Sequence, residues 1–600
     1  MRPVRILLDF ADPRDAQAPR LRSAFTQPLQ LLVARQADEV RPVLEAAEAQ
    51  ARAGRWCVGF LRYEAAPAFD AALQTRAGDG PLAWFAVFDR CQPWPAPDEG
   101  EALPAGIDWQ PGLPREAFEH TVQQLQQQIA AGDFYQVNYS SQRHGRLADL
   151  HPGLRVTEAE AGRALFDALQ RAQPGGYAAC IDTGDEQWLS VSPELFFDWR
   201  DGVLLTRPMK GTAPRSLDAD EDRQREQALR HSPKEQAENV MIVDLLRNDL
   251  SRLAEPFGVS VPQLFQTQAL PTVWQMTSDV QARTRPGCRL ADVLAAIFPC
   301  GSVTGAPKVQ AMKAITASEP EARAVYCGAI GVLQPGGAAT FNVPIRTLGL
   351  RQGRVRCGIG SGLTAAASAE GEWREWQHKQ RFLDRASQPF SLLETLRLQD
   401  GSLCHGQAHL ARLQRAARHF NVAWDEAHVH KVLAQLVARH PQGRWRVRLL
   451  LDAQGLAAAE AFALDDSPAQ VLLALDPRPF DEADSEFVRF KTTRRAHYEA
   501  RACPTPGVFD TLLWNPRGEL TECTRGNIAL LLDGRWVTPP LSCGLLDGVG
   551  REQALGEGWL SEAVVRTDEL PRVQALAFVN SLRGILPARL VPWSDTGPPG

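Results

Sequence analysis

The chain predicts a mixed α and β protein of two to four domains, with a main boundary at residues 386–390. Three observations carry this. Six hundred residues are more than one hydrophobic core organises. A composition of 44% hydrophobic and 23% charged residues is that of an ordinary globular protein and excludes disordered, collagen-like and disulfide-scaffold chains. Helical and strand patterns alternate along the chain, and their character changes around Gln388.

The elements follow in order. A proline- and glycine-rich stretch from Cys91 to Pro114 reads as a linker between an N-terminal subdomain, 1–110, and a larger segment, 111–386. Phe118, Val122, Leu125 and Ile129 recur at helical spacing between Arg115 and Ala131, and Gly132 ends that helix. Tyr177 to Asp182, Trp188 to Val191 and Leu195 to Trp199 read as strands, with a softer break from Asp198 to Gly202. Glu235 to Leu250 and Leu290 to Phe298 read as helices. A glycine-rich strand region spans Cys327 to Leu363, and Trp373 to Ser387 closes it as a charged helix. Beyond the boundary, SLLETLRLQDGSLCHG predicts a hairpin about its Asp-Gly pair. Gln407 to Phe420 reads as a helix, and strand and turn patterns fill the remainder of 390–600.

A net charge of −6, a pI of about 6.1 and a mean hydropathy of −0.26 offer no general attraction to nucleic acid or anionic lipid. The apolar stretch in MRPVRILLDFADP is too short for a signal peptide, and no window approaches 18 consecutive apolar residues, so no membrane span is expected. Eleven scattered cysteines, without a C-x-x-C pair or zinc-like spacing, read as thiols of a cytoplasmic protein. Only seven of the 65 basic residues are lysine: Lys210, Lys234, Lys308, Lys313, Lys379, Lys431 and Lys491. Arginine stays protonated and cannot act as an amine nucleophile, so each of these lysines invites a reason.

Ordered motifs run through the first part: GFLRYE at 59–64, GDFYQVNYS at 132–140, SPELFF at 192–197, RPMKGTAPR at 207–215, AENVMIVDLLRNDL at 237–250, FPCGSVTGAPK at 298–308, IRT at 345–347 and CGIGSG at 357–362. Glu235 and Glu238 share one helix face, and Glu372 and Glu375 repeat that spacing. Four such carboxylates are the ingredients of a magnesium site, and equally of two solvated helix faces.

Together these motifs resemble the chorismate-utilising enzyme family, which includes anthranilate, isochorismate and aminodeoxychorismate synthases, over about residues 1–385. The resemblance implies an α+β chorismate-binding fold of layered sheets with helices. It implies a Mg2+ ion held by Glu238 and Glu375, with Glu235 and Glu372 acting through water. It makes Lys210, in the Pro208–Thr212 segment, a nucleophile that adds covalently to chorismate, and Glu194 the acid that assists departure of the 4-hydroxyl. Anthranilate synthases carry alanine where this chain has Lys210. Thr212, Gln275, Arg346, Lys379 and the Cys357–Gly362 backbone, with Gly358 and Gly360, are the implied substrate holders. Lys308 matches the family without an assigned role. The chain departs at Gln275, where the family often has histidine, and in GSGLTAAAS, which lacks a family aspartate. Gln275 cannot shuttle a proton, which shifts weight onto Glu194.

Residues 390–600 resemble class IV aminotransferases through LLETLRLQDG, HLARL at 409–413, FKTT at 490–493, GELTECTRGNI at 518–528, LLDGVGR at 545–551 and NSLRG at 580–584. This implies an α/β domain that binds pyridoxal 5'-phosphate (PLP). Lys491, at the end of a strand, matches the cofactor-linked lysine, and Glu522 the partner of the ring nitrogen. Arg412, Val549, Gly550 and Ser581 match phosphate-binding positions. The segment that family members place before LLET is lacking, Cys523 replaces a usual glycine, and Gly550 a usual threonine.

The two resemblances imply consecutive steps: amination of chorismate to 4-amino-4-deoxychorismate, then elimination of pyruvate to give 4-aminobenzoate for folate synthesis. A separate glutamine amidotransferase subunit would supply ammonia, and class IV domains commonly form homodimers. Three rivals stand beside this: an anthranilate synthase component fused to an amino-acid aminotransferase, a transaminase second half, and a second half that binds without catalysis.

Overall fold

A computed structural model describes residues 3–95, 106–148, 157–215, 219–270, 273–387 and 390–593. Part of the expected 91–114 linker and residues 388–389 of the expected boundary lie outside the described residues. The chain divides into two compact units, 1–389 and 390–600.

The first unit is built on two ten-stranded sheets whose paired strands run antiparallel. Strands from Arg5–Phe10, Leu21–Thr26, Tyr177–Asp182, Gln187–Ser192, Thr347–Arg351, Arg354–Thr364 and Gln136–Leu147 belong to one sheet. Gln30–Ala34, Trp56–Leu61, Ala83–Phe88, Leu195–Arg200, Val203–Arg207, Met209–Pro214, Val273–Thr284, Ala329–Leu333 and Ala339–Asn342 belong to the other. Ile6, Leu8, Phe10 and Phe25 of the first meet Val58, Phe60, Trp84, Phe88, Ile330 and Val332 of the second in one buried cluster, so the sheets pack face to face. The outer face of the first sheet is covered by helices Arg115–Ala131, Glu158–Ala172 and Ala369–Ser387. Helices Ala37–Arg52, Pro233–Ser251 and Leu290–Ile297 cover the second. A helix–sheet–sheet–helix stack results.

Two expectations change here. Residues 1–110, read as a subdomain of their own, supply strands to both sheets. The softer break at 198–202 is a hairpin turn: Asp201 and Gly202 both take positive φ, which lets Leu195–Arg200 turn tightly into Val203–Arg207. Proline and glycine mark turns as readily as domain borders.

In the second unit, Leu392–Gln399 and Ser402–Cys404 form the expected hairpin about Asp400 and Gly401, joined by Arg444–Leu451 and Ala457–Ala463. Helices Gly406–Phe420 and Glu426–Arg439 bury Leu413, Phe420, Val429 and Leu433 against that sheet. The remaining residues form an eight-stranded mixed sheet, in which Val471–Leu475 runs parallel to both Asp510–Trp514 and Gly584–Val591.

Candidate active sites

In the first unit, the chain crosses from one sheet to the other at two points. Pro193 and Glu194 link Gln187–Ser192 to Leu195–Arg200, and Val343–Arg346 links Ala339–Asn342 to Thr347–Arg351. The crossings are tied together: Val343 donates its amide to the Glu194 carbonyl (3.1 Å) and Val191 its amide to the Arg346 carbonyl (3.1 Å). The segments carrying Glu194 and Arg346, 152 positions apart in the chain, are thereby joined.

Glu194 is 3% exposed. Ser302 Oγ donates to its Oε1 (2.7 Å). Burial raises its carboxyl to about 7, against the opposing pull of the Ser302 donor, the Lys210 charge and the Met209 amide. It is a carboxyl group divided between its acid and ionised forms near neutrality, and so able to give up a proton there.

Lys210 lies where strand Met209–Pro214 slips register against Val273–Thr284, between the Met209–Thr277 and Thr212–Gln275 pairs. Such a bulge re-aims a side chain. Gly211 has φ +89°, and a Cβ there would come 3.0 Å from Glu235 Oε2, so only glycine suits this approach to helix Pro233–Ser251. A Cβ on Gly362 would lie 2.7 Å from Lys210 Nζ and 2.8 Å from Gln136 Nε2. Gln136 is 1% exposed, and among the described residues neither its amide nitrogen nor its amide oxygen has a hydrogen-bond partner. A buried, unpaired amide beside a lysine amine is a group awaiting a ligand. Its position in GDFYQVNYS was the available signal for it.

Three of the four acids, Glu235, Glu372 and Glu375, lie within the electrostatic reach of the same lysine, and Glu238 adjoins Glu235. Glu235 is raised by burial and by Glu238, and it also feels Glu375 and Lys210. Glu372 is raised by burial and by Glu375, and accepts from Ser361 Oγ. Against burial, Lys379 (2.6 Å), Lys210 and Lys234 hold Glu375 below its ordinary value. Lys234 stands 3.8 Å from Glu235 and 3.9 Å from Glu238. Among the described residues no three His, Cys, Asp or Glu converge as a metal cluster. The donor set is all-carboxylate, with like charges facing across two helices and lysines neutralising them. That chemistry fits a magnesium ion, which takes one or two protein carboxylates and completes its shell with water.

The other expected substrate holders divide. Arg346 is half-buried with no ion-pair partner among the described residues; burial, then the like charge of Arg385, lowers it to about 10. Lys379 donates to the Gly360 carbonyl (2.9 Å). Thr212 and Gln275 engage each other (3.1 Å), and Gln275 also donates to the Gly211 carbonyl (2.8 Å). The missing side chains of Gly358 and Gly360 leave room for the Tyr326 ring and for Ser140 respectively. The glycine of this run that faces Lys210 is Gly362. Lys308 bonds Asp249 (3.1 Å) and the Ile297 carbonyl (3.2 Å), tying two helices together.

In the second unit, Lys491 is not at a strand end. It follows the short helix Glu486–Arg489, and its carbonyl accepts the Leu393 amide (3.0 Å), which pins it to strand Leu392–Gln399. Burial, then the charges of Arg495 and Arg412, lowers its amine to about 7; Glu394 and Glu522 act in the opposite sense. These groups therefore share one space. Arg412 is buried and grips Glu394 through Nε (2.8 Å) and Nη2 (2.6 Å), while His409 Nδ1 donates to the same carboxylate (2.7 Å). Against burial, these two partners hold Glu394 down to about 2. Arg412 also donates to the Asp547 carbonyl (2.9 Å), next to the helix Val549–Gly556. The N-terminal amides of that helix and a fixed guanidinium suit a phosphate. Gly550 opens it: a Cβ there would meet the Asn580 carbonyl carbon at 2.8 Å and the Ser581 nitrogen at 2.9 Å. Glu522 is buried and raised by that burial to about 7, opposed by donation from Tyr498 Oη (2.6 Å) and the Leu546 amide (3.1 Å). A low-pKa amine, an anion cradle and a buried carboxyl are what PLP requires, so these residues fit the cofactor. Glu394 and His409 lay within motifs read from the sequence without being assigned; Tyr498 lay outside them.

Residues 8–385 match the profile of chorismate binding enzymes, and residues 391–591 that of class IV amino-transferases. Aminodeoxychorismate synthase component 1 of Klebsiella aerogenes is 40% identical over 267 residues, 44% of this chain and 57% of that protein. Anthranilate synthase component 1 of Streptomyces coelicolor is 34% identical over 300 residues, 49% of this chain and 57% of that one. The chain thus spans about three-fifths of these relatives. An isochorismate synthase structure from Bacillus anthracis shares the fold at 19% identity and a TM-score of 0.50, covering 64% of this chain and 95% of that one. Among the described residues no helix is long and apolar enough to cross a membrane.

Proposed function

Since the chain belongs to the chorismate binding enzyme family across residues 8–385 and carries a class IV amino-transferase domain after it, we propose that it converts chorismate to 4-aminobenzoate in two steps. The observation that carries the first step is the meeting of Lys210 Nζ and the unpaired Gln136 amide at Gly362, within the electrostatic reach of a Glu194 raised to about 7.

Arg346 holds a carboxylate of chorismate. Mg2+, held by Glu238 and Glu375 with Glu235 and Glu372 behind water, would neutralise the ring carboxylate. Lys210 Nζ, after passing one proton to solvent, forms a bond to C2 while the ring double bond shifts, the C4–O bond breaks, and Glu194 gives its proton to the departing hydroxyl, which leaves as water. Ammonia then bonds to C4, the double bond shifts back, and the C2–N bond to Lys210 breaks. The proton shed by the new amine restores Glu194. A separate glutamine amidotransferase subunit supplies the ammonia; full glutamine-dependent activity from the purified chain alone would overturn that.

In the second step the amine of 4-amino-4-deoxychorismate enters the other site. PLP, held by Lys491, Glu522, Arg412, Ser581 and the Val549–Gly550 amides, would withdraw electrons from the amine-bearing carbon. Lys491, whose amine is free near neutrality, takes the proton from that ring carbon. The C3–O bond to the side chain then breaks, the departing enolate takes up the proton from Lys491 to become pyruvate, and the ring is left aromatic.

The likeness to anthranilate synthase favours one other reading, that the first step yields anthranilate. Lys210 speaks for the aminodeoxychorismate product. Incubating the protein with chorismate, Mg2+, ammonia and PLP and identifying the aromatic product decides. Anthranilate would sink the proposal, and aminodeoxychorismate accumulating without 4-aminobenzoate would sink its second half. Lys210→Ala should abolish amination; retained product would remove the covalent step.

A further inference from the structure

Seven residues after Lys491, Tyr498 sits in the short helix Ala496–Glu499, outside every motif singled out in the sequence. Its ring is locked from several sides. It packs in a buried cluster with Phe480, Val488 and Leu513 and lies stacked on Phe480 at 5.6 Å. The Arg495 guanidinium lies over the ring at 4.6 Å and donates to the carbonyl of Thr524, two residues beyond Glu522. From this fixed ring the hydroxyl donates to Glu522 Oε1 at 2.6 Å, while the Leu546 amide donates to Oε2 at 3.1 Å. Each oxygen of the carboxylate is thus held by a donor from a separate segment.

We propose that Tyr498 is a positioning residue that keeps Glu522 ionised and aimed as the acceptor for the ring nitrogen of PLP. This rests on the reading that residues 390–600 bind that cofactor. Glu522 is buried, and burial alone favours its neutral form, in which the carboxyl would keep the proton the ring nitrogen needs. A hydroxyl donating to the anion favours the ionised form, and the proton then resides on the ring. Burial and the Glu522 charge drive the Tyr498 hydroxyl well above its ordinary value, so it donates a hydrogen bond without surrendering its proton. Arg495, whose charge also favours ionised Glu522, fixes the ring that carries the hydroxyl.

The test loads the full-length chain with PLP labelled with 15N at the ring nitrogen and compares wild type with Tyr498→Phe. The phenylalanine keeps the packing and removes only the donor; loss of a hydrogen bond to a charged group should raise the proton affinity of Glu522 roughly tenfold or more. The expected result is PLP still reducible onto Lys491 by borohydride, with the 15N resonance moved toward the unprotonated ring. Incorporating 3,5-difluorotyrosine at 498, a stronger donor of the same shape, should move it the opposite way. Labelled PLP bound by Tyr498→Phe with an unmoved resonance would overturn the inference and leave the cofactor reading standing. Wild-type protein that captures no PLP on Lys491 would overturn both.

Discussion

Replacing Glu194 by glutamine should make the protein more stable and less active, in amounts set by one buried carboxyl. Burial moves that group from 4.5 to about 7. At 1.36 kcal/mol per pKa unit, holding it ionised in the folded protein costs on the order of 3 kcal/mol. The folded state binds more protons than the unfolded state between pH 4.5 and 7, so stability falls as pH rises through that window and the full penalty persists above it. Glutamine keeps an oxygen for Ser302 and has no proton to lose. The variant should therefore match wild type near pH 4.5 and exceed it by about 2–3 kcal/mol at pH 8.5, read from urea unfolding at both pH values. Ammonia-dependent amination should drop by about 10²–10⁴-fold, the usual worth of a positioned acid. A variant with the same pH dependence of stability as wild type, or with undiminished amination, would refute the reasoning.

Three further outcomes follow from particular contacts. Gly362→Ala places a methyl against the flexible ends of Lys210 and Gln136, so it should leave the melting temperature almost unchanged while lowering kcat about tenfold or more by displacing the amine. Lys491 is depressed from 10.5 to about 7, so the unfolded state binds more protons between those values and this group makes stability rise with pH across that window. PLP capture should be half-maximal near pH 7, and Lys491→Met should abolish capture and that rise, as followed by visible absorbance and unfolding. Gly550→Thr restores a residue common among class IV aminotransferases, yet its side chain would strike the Asn580–Ser581 backbone, so it should cost about 1–3 kcal/mol and weaken PLP affinity. Fluorescence titration with PLP checks the latter.

Local elements were legible wherever a pattern repeated. The helix Arg115–Ala131 and the strand Tyr177–Asp182 appear with the bounds expected for them, because a 3.6-residue spacing marks the one and a short, almost wholly apolar run, buried on both faces, marks the other. Punctuation was less reliable. Gly202 and the 91–114 stretch read alike, yet one is a hairpin turn and residues on both sides of the other enter shared sheets. Nor does spacing report what a glycine faces: Gly358 accommodates a tyrosine ring while Gly362, in the same run, faces Lys210. Tyr498 had no motif to mark it, since its role depends on Glu522, 24 residues away, on a different element.

Chemical identity was the sequence's own contribution. Among 65 basic residues, two of the seven lysines stand in segments where the proposed chemistry needs an amine able to shed its proton, and arginine cannot provide one at any relevant pH. Strong periodicity, turn chemistry and ordered motifs then placed those residues in two units. Tertiary structure alone decided their electrostatics and their company. The segments carrying Glu194 and Arg346 are tied together because the chain crosses between two packed sheets at adjacent points, and Glu194 and Glu522 rise to about 7 because folding removes them from water. A carboxylate's charge is a property of its surroundings, and those surroundings are assembled from separate segments, such as Ser302 beside Glu194 and Tyr498 and Leu546 beside Glu522.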